Sequence, residues 1–132
     1  MAKNRVMEGL LYMVAIGVSI GLLLFVVTCT IIGYEVNQIC SDAKSEYGND
    51  CAGSLITLLS DETQPFRERN SAIWALGQLG DDRALPVLES YYTGDVPERE
   101  SLSEGISQYE LKKAIKLAGG GLNLTSWAWD AD

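Results

Sequence analysis

An uninterrupted apolar segment lies near the amino terminus. No charged side chain occurs from residue 10 to residue 33, LLYMVAIGVSIGLLLFVVTCTIIG. A helix of this length extends roughly 36 Å at about 1.5 Å per residue, enough to cross a hydrocarbon core of about 30 Å with some tilt. A helix of a small soluble domain needs a polar face, which this segment lacks. The pattern therefore predicts a transmembrane helix over residues 10–33.

A cleaved signal peptide is the alternative interpretation, and it fits this segment less well. The run exceeds the roughly 7–15 apolar residues usual in signal peptides, and no A-x-A-like site follows it. Lys3 and Arg5 precede the run, whereas the first charges after it are acidic. Because positive charge favours the cytoplasmic side, we expect a single-pass signal anchor. Residues 1–9 would be cytoplasmic and residues 34–132 periplasmic or extracellular.

Small residues recur four positions apart within the predicted span. Gly17 and Gly21 form a G-x-x-x-G pattern, with Ala15 and Ser19 at the same spacing. This spacing lets two helix backbones approach closely, and so allows a homodimer or docking on another membrane helix. Glycine is also frequent in membrane helices that have no such contact. The sequence leaves both interpretations open.

We predict residues 34–51 to be a linker. Within it, Cys40 and Cys51, two of the three cysteines, flank a polar stretch. If this region faces an oxidising compartment, Cys40 and Cys51 can form a structural disulfide worth about 3 kcal/mol. Two thiols without further ligands make only half a zinc site, and the spacing is not the C-x-x-C of redox pairs. We therefore predict a disulfide arm and no metal site. Cys29, within the span, is predicted to be a small apolar residue.

From residue 52 onward the apolar residues recur with helical periodicity. Breaks at Asp61–Pro65, Gly80, Gly94–Pro97 and Gly119–Gly121 separate four predicted helices, which pair as two hairpins. Thr63 is predicted to cap the second helix, Asp81 or Asp82 the third, and the capping-box pattern of residues 101–104 the fourth. The predicted helices cover residues 52–60, about 66–79, 83–92 and 101–118.

One segment carries a specific pattern, RNSAIWALGQLGDDRALPVL at residues 69–88. An arginine, an Ala-Leu-Gly-x-x-Gly-Asp stretch and an Ala-x-Pro-x-Leu stretch follow one another, and this resembles the HEAT-repeat family, of the short type found in phycobilisome-lyase-like proteins. The resemblance implies an all-α fold: the transmembrane helix followed by a short α-solenoid of about two HEAT-like hairpins over residues 52–118. The second unit is the weaker match, because Lys116 replaces the helix glycine.

Four aromatic residues are the predicted partner contacts. Trp74 lies roughly 160° from Leu76, the centre of the apolar face, at about 100° per residue. A tryptophan on a polar face suits a contact anchor, although Trp74 could instead pack under the Cys40–Cys51 arm. The Gly-rich break and tail of residues 119–132 could cap the last helix pair, which otherwise leaves Leu111 and Ile115 exposed, or contact a partner or the membrane interface. The remaining predicted contacts are Tyr91, Trp127 and Trp129.

The composition of the chain argues against nucleic-acid binding and against catalysis. Eighteen acidic and ten basic residues give a net charge of −8, which disfavours nucleic acid as a partner. The chain contains no histidine, the commonest general base and metal ligand. No Gly-rich phosphate loop or nucleophile elbow is present. From these features we expect no enzyme activity and no cofactor.

These observations predict a membrane-anchored protein–protein interaction module, an accessory or scaffold subunit of a membrane complex. Tethering to the bilayer would raise the effective concentration of its encounters with membrane partners. Two alternatives remain. The resemblance to lyase-like proteins implies a chromophore-handling protein, and the long apolar segment would also suit a small structural subunit held mainly by its transmembrane helix.

Overall fold

A computed structural model of the protein describes residues 2–121, and the regular secondary structure of this part of the chain is all helical. No strand occurs among these residues, so the predicted all-α class is confirmed for them. The stacking of two hairpins into a solenoid stays a prediction, and Trp127 and Trp129 lie outside the described residues. The helices are α1 (Ala2–Tyr47), α2 (Cys51–Ser60), α3 (Phe66–Leu79), α4 (Leu85–Tyr91) and α5 (Gln108–Ala118), with a 3-10 turn (Asp82–Ala84) before α4.

Helix α1 is much longer than the predicted span, since it continues without a break for 46 residues. It contains a window long and apolar enough to cross a membrane, and none of that window is buried in the structure. The structure differs from the predicted linker over residues 34–51, because α1 occupies most of it. Its buried residues are Cys29, Val36, Cys40 and Ala43. The last three recur at helical intervals and belong to the hydrophobic core, so packing on the domain holds this polar segment helical.

The hydrophobic core lies where α1, α2, α3 and α5 meet. Leu111 of α5 is fully buried in this core and Ile115 packs against it, because α5 packs directly on α3. The tail predicted to cover them lies outside the described residues from residue 122 onward, so its role as a cap stays a prediction. The largest fully buried apolar side chains are Leu55, Leu59, Ile73, Leu76, Leu88 and Leu111.

Helices α3 and α5 approach each other most closely at Gly77. A Cβ atom built on Gly77 would lie 2.9 Å from the Cα atom of Ala114. A side chain at this position would therefore collide with the α5 backbone. The α3 helix ends at Gly80, whose φ of 64° is the left-handed conformation expected of a glycine C-cap.

The start of α3 differs from the prediction. The N-cap position is Pro65, which forms no side-chain cap. Thr63, the predicted cap, instead donates its hydroxyl and its backbone N–H to the Asp61 carboxylate, at 2.6 and 3.0 Å. Asp81 does cap the next element, because its side chain accepts from the N–H of Arg83. That element is a 3-10 turn followed by α4, where one helix was predicted over residues 83–92.

The predicted start of the last helix at residues 101–104 is wrong, because α5 begins at Gln108. Ser107 is the N-cap, and its hydroxyl accepts from the N–H of Glu110. The Glu100 carboxylate accepts from the N–H groups of Gln108 and Tyr109. Burial alone would raise the pKa of Glu100, but these bonds and one from the Ser107 hydroxyl outweigh it, and the pKa is lowered.

Candidate binding groove around Trp74

A groove of about 430 Å³ opens where α1 and α3 meet the loop before α5. We call it the Trp74 groove, and we call residues 92–107 the α4–α5 loop. The volume is in the range of pockets that hold small ligands or a few side chains of a partner. Its lining consists of Glu35, Gln38 and Ile39 from α1, Arg67, Asn70, Ser71 and Trp74 from α3, Leu102 from the α4–α5 loop and Glu110 from α5.

Trp74 is half-buried and packs against the hydrophobic core. It lies on the far side of α3 from Leu76, as its position on the helix predicts. Helix α1 crosses that side of α3, and Ile39 of α1 lines the same groove. The indole is thus partly covered and partly accessible, between the two alternatives that the sequence left open.

The α4–α5 loop forms one wall of the groove, and Asn70 holds this loop in place. Its side chain is almost completely buried, with 3% exposure. The amide nitrogen donates to the carbonyls of Leu102 and Gly105, at 2.9 and 2.8 Å. The amide oxygen accepts from the N–H of Ser107 at 2.8 Å. In the sequence, the one indication of this role is that a polar residue precedes Trp74 by about one helical turn.

The α1 wall lies next to the end of the apolar segment. Glu35, Gln38 and Ile39 follow Gly33 by two to six positions, which is roughly 3–9 Å along the helix axis. The Gln38 side chain donates to the hydroxyl of Tyr34 at 3.2 Å. Because α1 is continuous, the groove has a fixed position relative to the segment that could span a membrane.

The groove contains charges of both signs and lies in a domain whose net charge is negative. It is lined by the carboxylates of Glu35 and Glu110 and by the guanidinium of Arg67. Glu110 also contacts Lys113, with 3.3 Å between carboxylate oxygen and Nζ. Residues 34–121 as a whole carry fifteen acidic and eight basic side chains. An approaching cation is therefore attracted and an anion repelled.

Cys40 and Cys51 lie at disulfide distance in the structure, with their Cα atoms 5.1 Å apart. This separation is in the ordinary range for a disulfide. The pair joins the buried stripe of α1 to the first residue of α2. Whether the bond forms in the cell depends on the compartment, and it stays a prediction.

A second link between α1 and the domain is the hydrogen bond from the Tyr47 hydroxyl to the Asp61 carboxylate, at 2.7 Å. Burial, reinforced by this bond, raises the pKa of Tyr47. The hydrogen bonds from Thr63 and then Tyr47 lower the pKa of Asp61. The end of α1 is thus held against the turn between α2 and α3.

Tyr91 does not join Trp74 in the groove. Its hydroxyl accepts from Nη2 of Arg69 at 3.4 Å, and the guanidinium carbon lies 5.6 Å from the ring centre. Arg69 is itself buried and donates to the carbonyl of Leu59 at 2.8 Å. In this arrangement Tyr91 covers a buried arginine.

The remaining predicted site residues lie on α1 or outside the described chain. No atom outside the helix's own backbone lies within 4 Å of a Cβ atom built at Gly17 or Gly21. The face that they share is open, and their role in helix packing stays a prediction. Among residues 2–121 no three His, Cys, Asp or Glu side chains are grouped so as to hold a metal ion.

The described residues form an all-helical domain that follows an apolar amino-terminal helix, and a family match suggests a helical-repeat protein. Residues 68–92 match the family of the PBS lyase HEAT-like repeat, which confirms the resemblance seen in the sequence. The chain is also similar to the deoxyhypusine hydroxylase of Candida albicans, with 31% identity over 65% of this chain and 25% of the relative. The deoxyhypusine hydroxylase of Schizosaccharomyces pombe is 38% identical over 46% of this chain and 20% of the relative. No solved structure gives a significant match.

These relatives correct one expectation. From the missing histidine and the absence of a catalytic motif we expected no enzyme activity, yet both relatives carry the name of an enzyme. The similarity therefore points to an enzyme family. The chain spans a quarter or less of the length of these two relatives.

Proposed function

We propose that the protein is a membrane-anchored interaction module, an accessory or scaffold subunit that binds a partner protein through the Trp74 groove. In this proposal α1 is a single-pass anchor with residues 1–9 in the cytoplasm, and the helical domain lies outside. The two helical hairpins stack as a short α-solenoid and present the groove as a rigid surface. The observation that carries the proposal is the continuity of α1, which supplies both the apolar segment and one wall of the groove.

Three features of the groove support binding of a protein. Trp74 offers a large, partly accessible aromatic surface of the kind that dominates protein interfaces. Leu102, beside it, is 50% exposed although it is apolar. The buried Asn70 already holds the surrounding backbone in place, so little conformational entropy would be lost on binding.

Affinity purification of the full chain in mild detergent tests the proposed contact. We expect Trp74→Ala to reduce recovery of the partner roughly 30-fold, the effect of losing a contact worth about 2 kcal/mol. Tyr109→Ala is the matched control, because Tyr109 is 54% exposed on the same domain but does not line the groove. Equal retention of the partner by wild type and Trp74→Ala would favour the alternative of a subunit held mainly by its transmembrane helix.

Labelling of intact cells tests the proposed topology. In a Cys29→Ala background, a cysteine placed at the exposed Lys112 should react with a membrane-impermeant maleimide. A cysteine placed at Lys3 should react only after lysis. The reverse pattern would put the domain in the cytoplasm and would remove the reason to expect a Cys40–Cys51 disulfide.

A second candidate function comes from the names of the relatives. If the chain shares the activity in their name, it hydroxylates deoxyhypusine, a two-electron oxidation for which molecular oxygen and a reductant would be supplied in the assay. The purified full chain would be incubated with a deoxyhypusine-containing protein, and the product analysed by mass spectrometry against a heat-denatured control. Hydroxylation above the control would establish this activity, and its absence would limit the relationship to the repeat.

A further inference from the structure

We infer that the occupant of the Trp74 groove is a segment of the partner protein that carries a lysine or arginine next to an apolar side chain. The inference rests on the proposed function and specifies the chemistry of the partner. It follows from three observations on the groove: its carboxylates, its exposed apolar surface and its charge surroundings.

The two carboxylates come from different helices and face the same groove. Glu35 is exposed on α1, and Glu110 is half-buried in the first turn of α5. A cationic side chain in the groove would therefore lie among carboxylates from two helices. Among the described residues that line the groove, Arg67 of α3 is the cation.

The availability of Glu110 has a structural origin. In a capping box, the third residue of a helix turns its carboxylate back to the N–H of the N-cap residue. Here the N–H of the N-cap residue, Ser107, donates to Asn70 instead. The α5 N-terminus also receives the Glu100 carboxylate on Gln108 and Tyr109. Glu110 is thus not bound to the N-cap residue and lines the groove, where its carboxylate lies 3.3 Å from Nζ of Lys113. A cationic side chain in the groove would compete with Lys113 for this carboxylate.

The apolar part of the groove suits the stem and neighbours of such a cation. Trp74, Ile39 and Leu102 line it, and Leu102 is half exposed. An ammonium or guanidinium group near the indole face would gain a cation–π interaction, and its methylene stem would contact the apolar side chains. A purely charged ligand would leave this surface in water.

The electrostatic surroundings argue for a cationic protein segment and against an anionic lipid surface. Residues 34–121 carry nearly twice as many acidic as basic side chains, fifteen against eight. This field attracts a cationic segment and repels anionic headgroups. Charge complementarity of this kind also selects among competing partners.

The fluorescence of Trp74 in the full chain tests the inference. Because the chain has three tryptophans, Trp127→Phe and Trp129→Phe are introduced so that Trp74 is the only one. The probe is a short tryptophan-free peptide of lysine, leucine and alanine, compared with the same peptide carrying glutamate in place of lysine. We expect the lysine peptide alone to shift the emission, with an affinity that falls as salt is raised.

Variants that remove charges from the groove supply a second test of the inference. Glu35→Gln combined with Glu110→Gln should weaken binding of the lysine peptide about threefold to tenfold, whereas Arg67→Gln should leave it unchanged or strengthen it. The inference is overturned if the glutamate peptide binds equally, if vesicles containing phosphatidylserine shift the emission as the lysine peptide does, or if the charge variants have no effect.

The purification experiment distinguishes failure of this inference from failure of the proposed function. If Trp74→Ala loses the partner but Glu35→Gln with Glu110→Gln retains it fully, the groove binds a partner of different chemistry. If neither variant loses the partner, the groove is not the contact surface.

Discussion

The side chain of Asn70 accepts a hydrogen bond from the backbone N–H of Ser107, 2.8 Å away and 37 positions further along the chain. This bond joins the middle of α3 to the residue that caps α5. It places Asn70 in the role that the carboxylate of Glu110 would have in a capping box. One buried amide therefore sets where α5 begins and how the α4–α5 loop borders the Trp74 groove.

Replacing Asn70 should destabilise the domain substantially. In Asn70→Ala the carbonyls of Leu102 and Gly105 and the N–H of Ser107 lose their buried partner. Since one unsatisfied buried group costs about 1–3 kcal/mol, we expect a loss of about 3 kcal/mol in the free energy of unfolding. Urea denaturation of the full chain in detergent, followed by circular dichroism, measures it.

Ser71→Ala is the matched control for this substitution. The Ser71 hydroxyl bonds only to the carbonyl of Arg67 within α3, so we expect a change within about 0.5 kcal/mol. Equal stability of Asn70→Ala and Ser71→Ala would show that the α4–α5 loop does not depend on Asn70.

Gly77→Ala should be destabilising although alanine is the better helix former. The helix propensity gained is about 1 kcal/mol, but the new Cβ would lie 2.9 Å from the Cα atom of Ala114. Separating α3 from α5 costs about 1–3 kcal/mol, as for other overpacked contacts. A lowered Tm in thermal denaturation measures the balance. Glu68→Ala, on the exposed side of α3, should change Tm little, and a raised Tm for Gly77→Ala would contradict the close approach.

The sequence predicts α3 well because its determinants are local. The apolar face of residues 66–79 and the left-handed Gly80 lie within one segment, and the repeat pattern of residues 69–88 spans both. Gly77, which has no side chain, is likewise part of that pattern, and it is the point where α5 approaches. The structure places each of these features where the pattern indicated.

The sequence fails where distant residues decide the local structure. The polar stretch after residue 33 is typical of a linker, and it is helical because Val36, Cys40 and Ala43 pack on the domain. The start of α5 depends on Glu100 and Asn70, which lie 8 and 38 positions before Gln108. The groove is missed for the same reason, since its walls come from segments far apart in the chain.

The disulfide prediction can be checked by counting thiols. If Cys40 and Cys51 are bonded in the cell, the denatured but unreduced chain should react with maleimide at Cys29 alone. After reduction all three cysteines should react. Reduction should also lower the free energy of unfolding by about 3 kcal/mol, because the closed loop restricts the unfolded chain. The Cys29→Ala variant should show no reaction before reduction, and labelling at Cys40 in unreduced protein would contradict the bond.

The carboxylates that cap the helices should make the domain sensitive to acid. Burial acts to raise the pKa of Glu100, but the hydrogen bonds from Ser107, Gln108 and Tyr109 lower it below the ordinary 4.5. The bond from Arg83 lowers the pKa of Asp50 in the same direction. A carboxylate whose pKa is lowered by folding stabilises the folded state above its unfolded pKa, and this contribution is lost as pH falls through the folded pKa. We therefore expect full stability at pH 5 to 7 and a progressive loss below about pH 4.

Glu100→Gln isolates the contribution of one cap. The amide keeps the size of the side chain but replaces a charged acceptor by a neutral one, so the variant should be less stable than wild type at pH 7. The difference in the free energy of unfolding should shrink as pH falls below about 4, because the wild-type carboxylate becomes protonated and is then neutral like the amide. Urea denaturation at neutral and acid pH measures both values, with Glu62→Gln, an exposed position in the α2–α3 turn, as control. A stability difference that stays constant with pH would mean that the charge of Glu100 does not hold the α5 terminus.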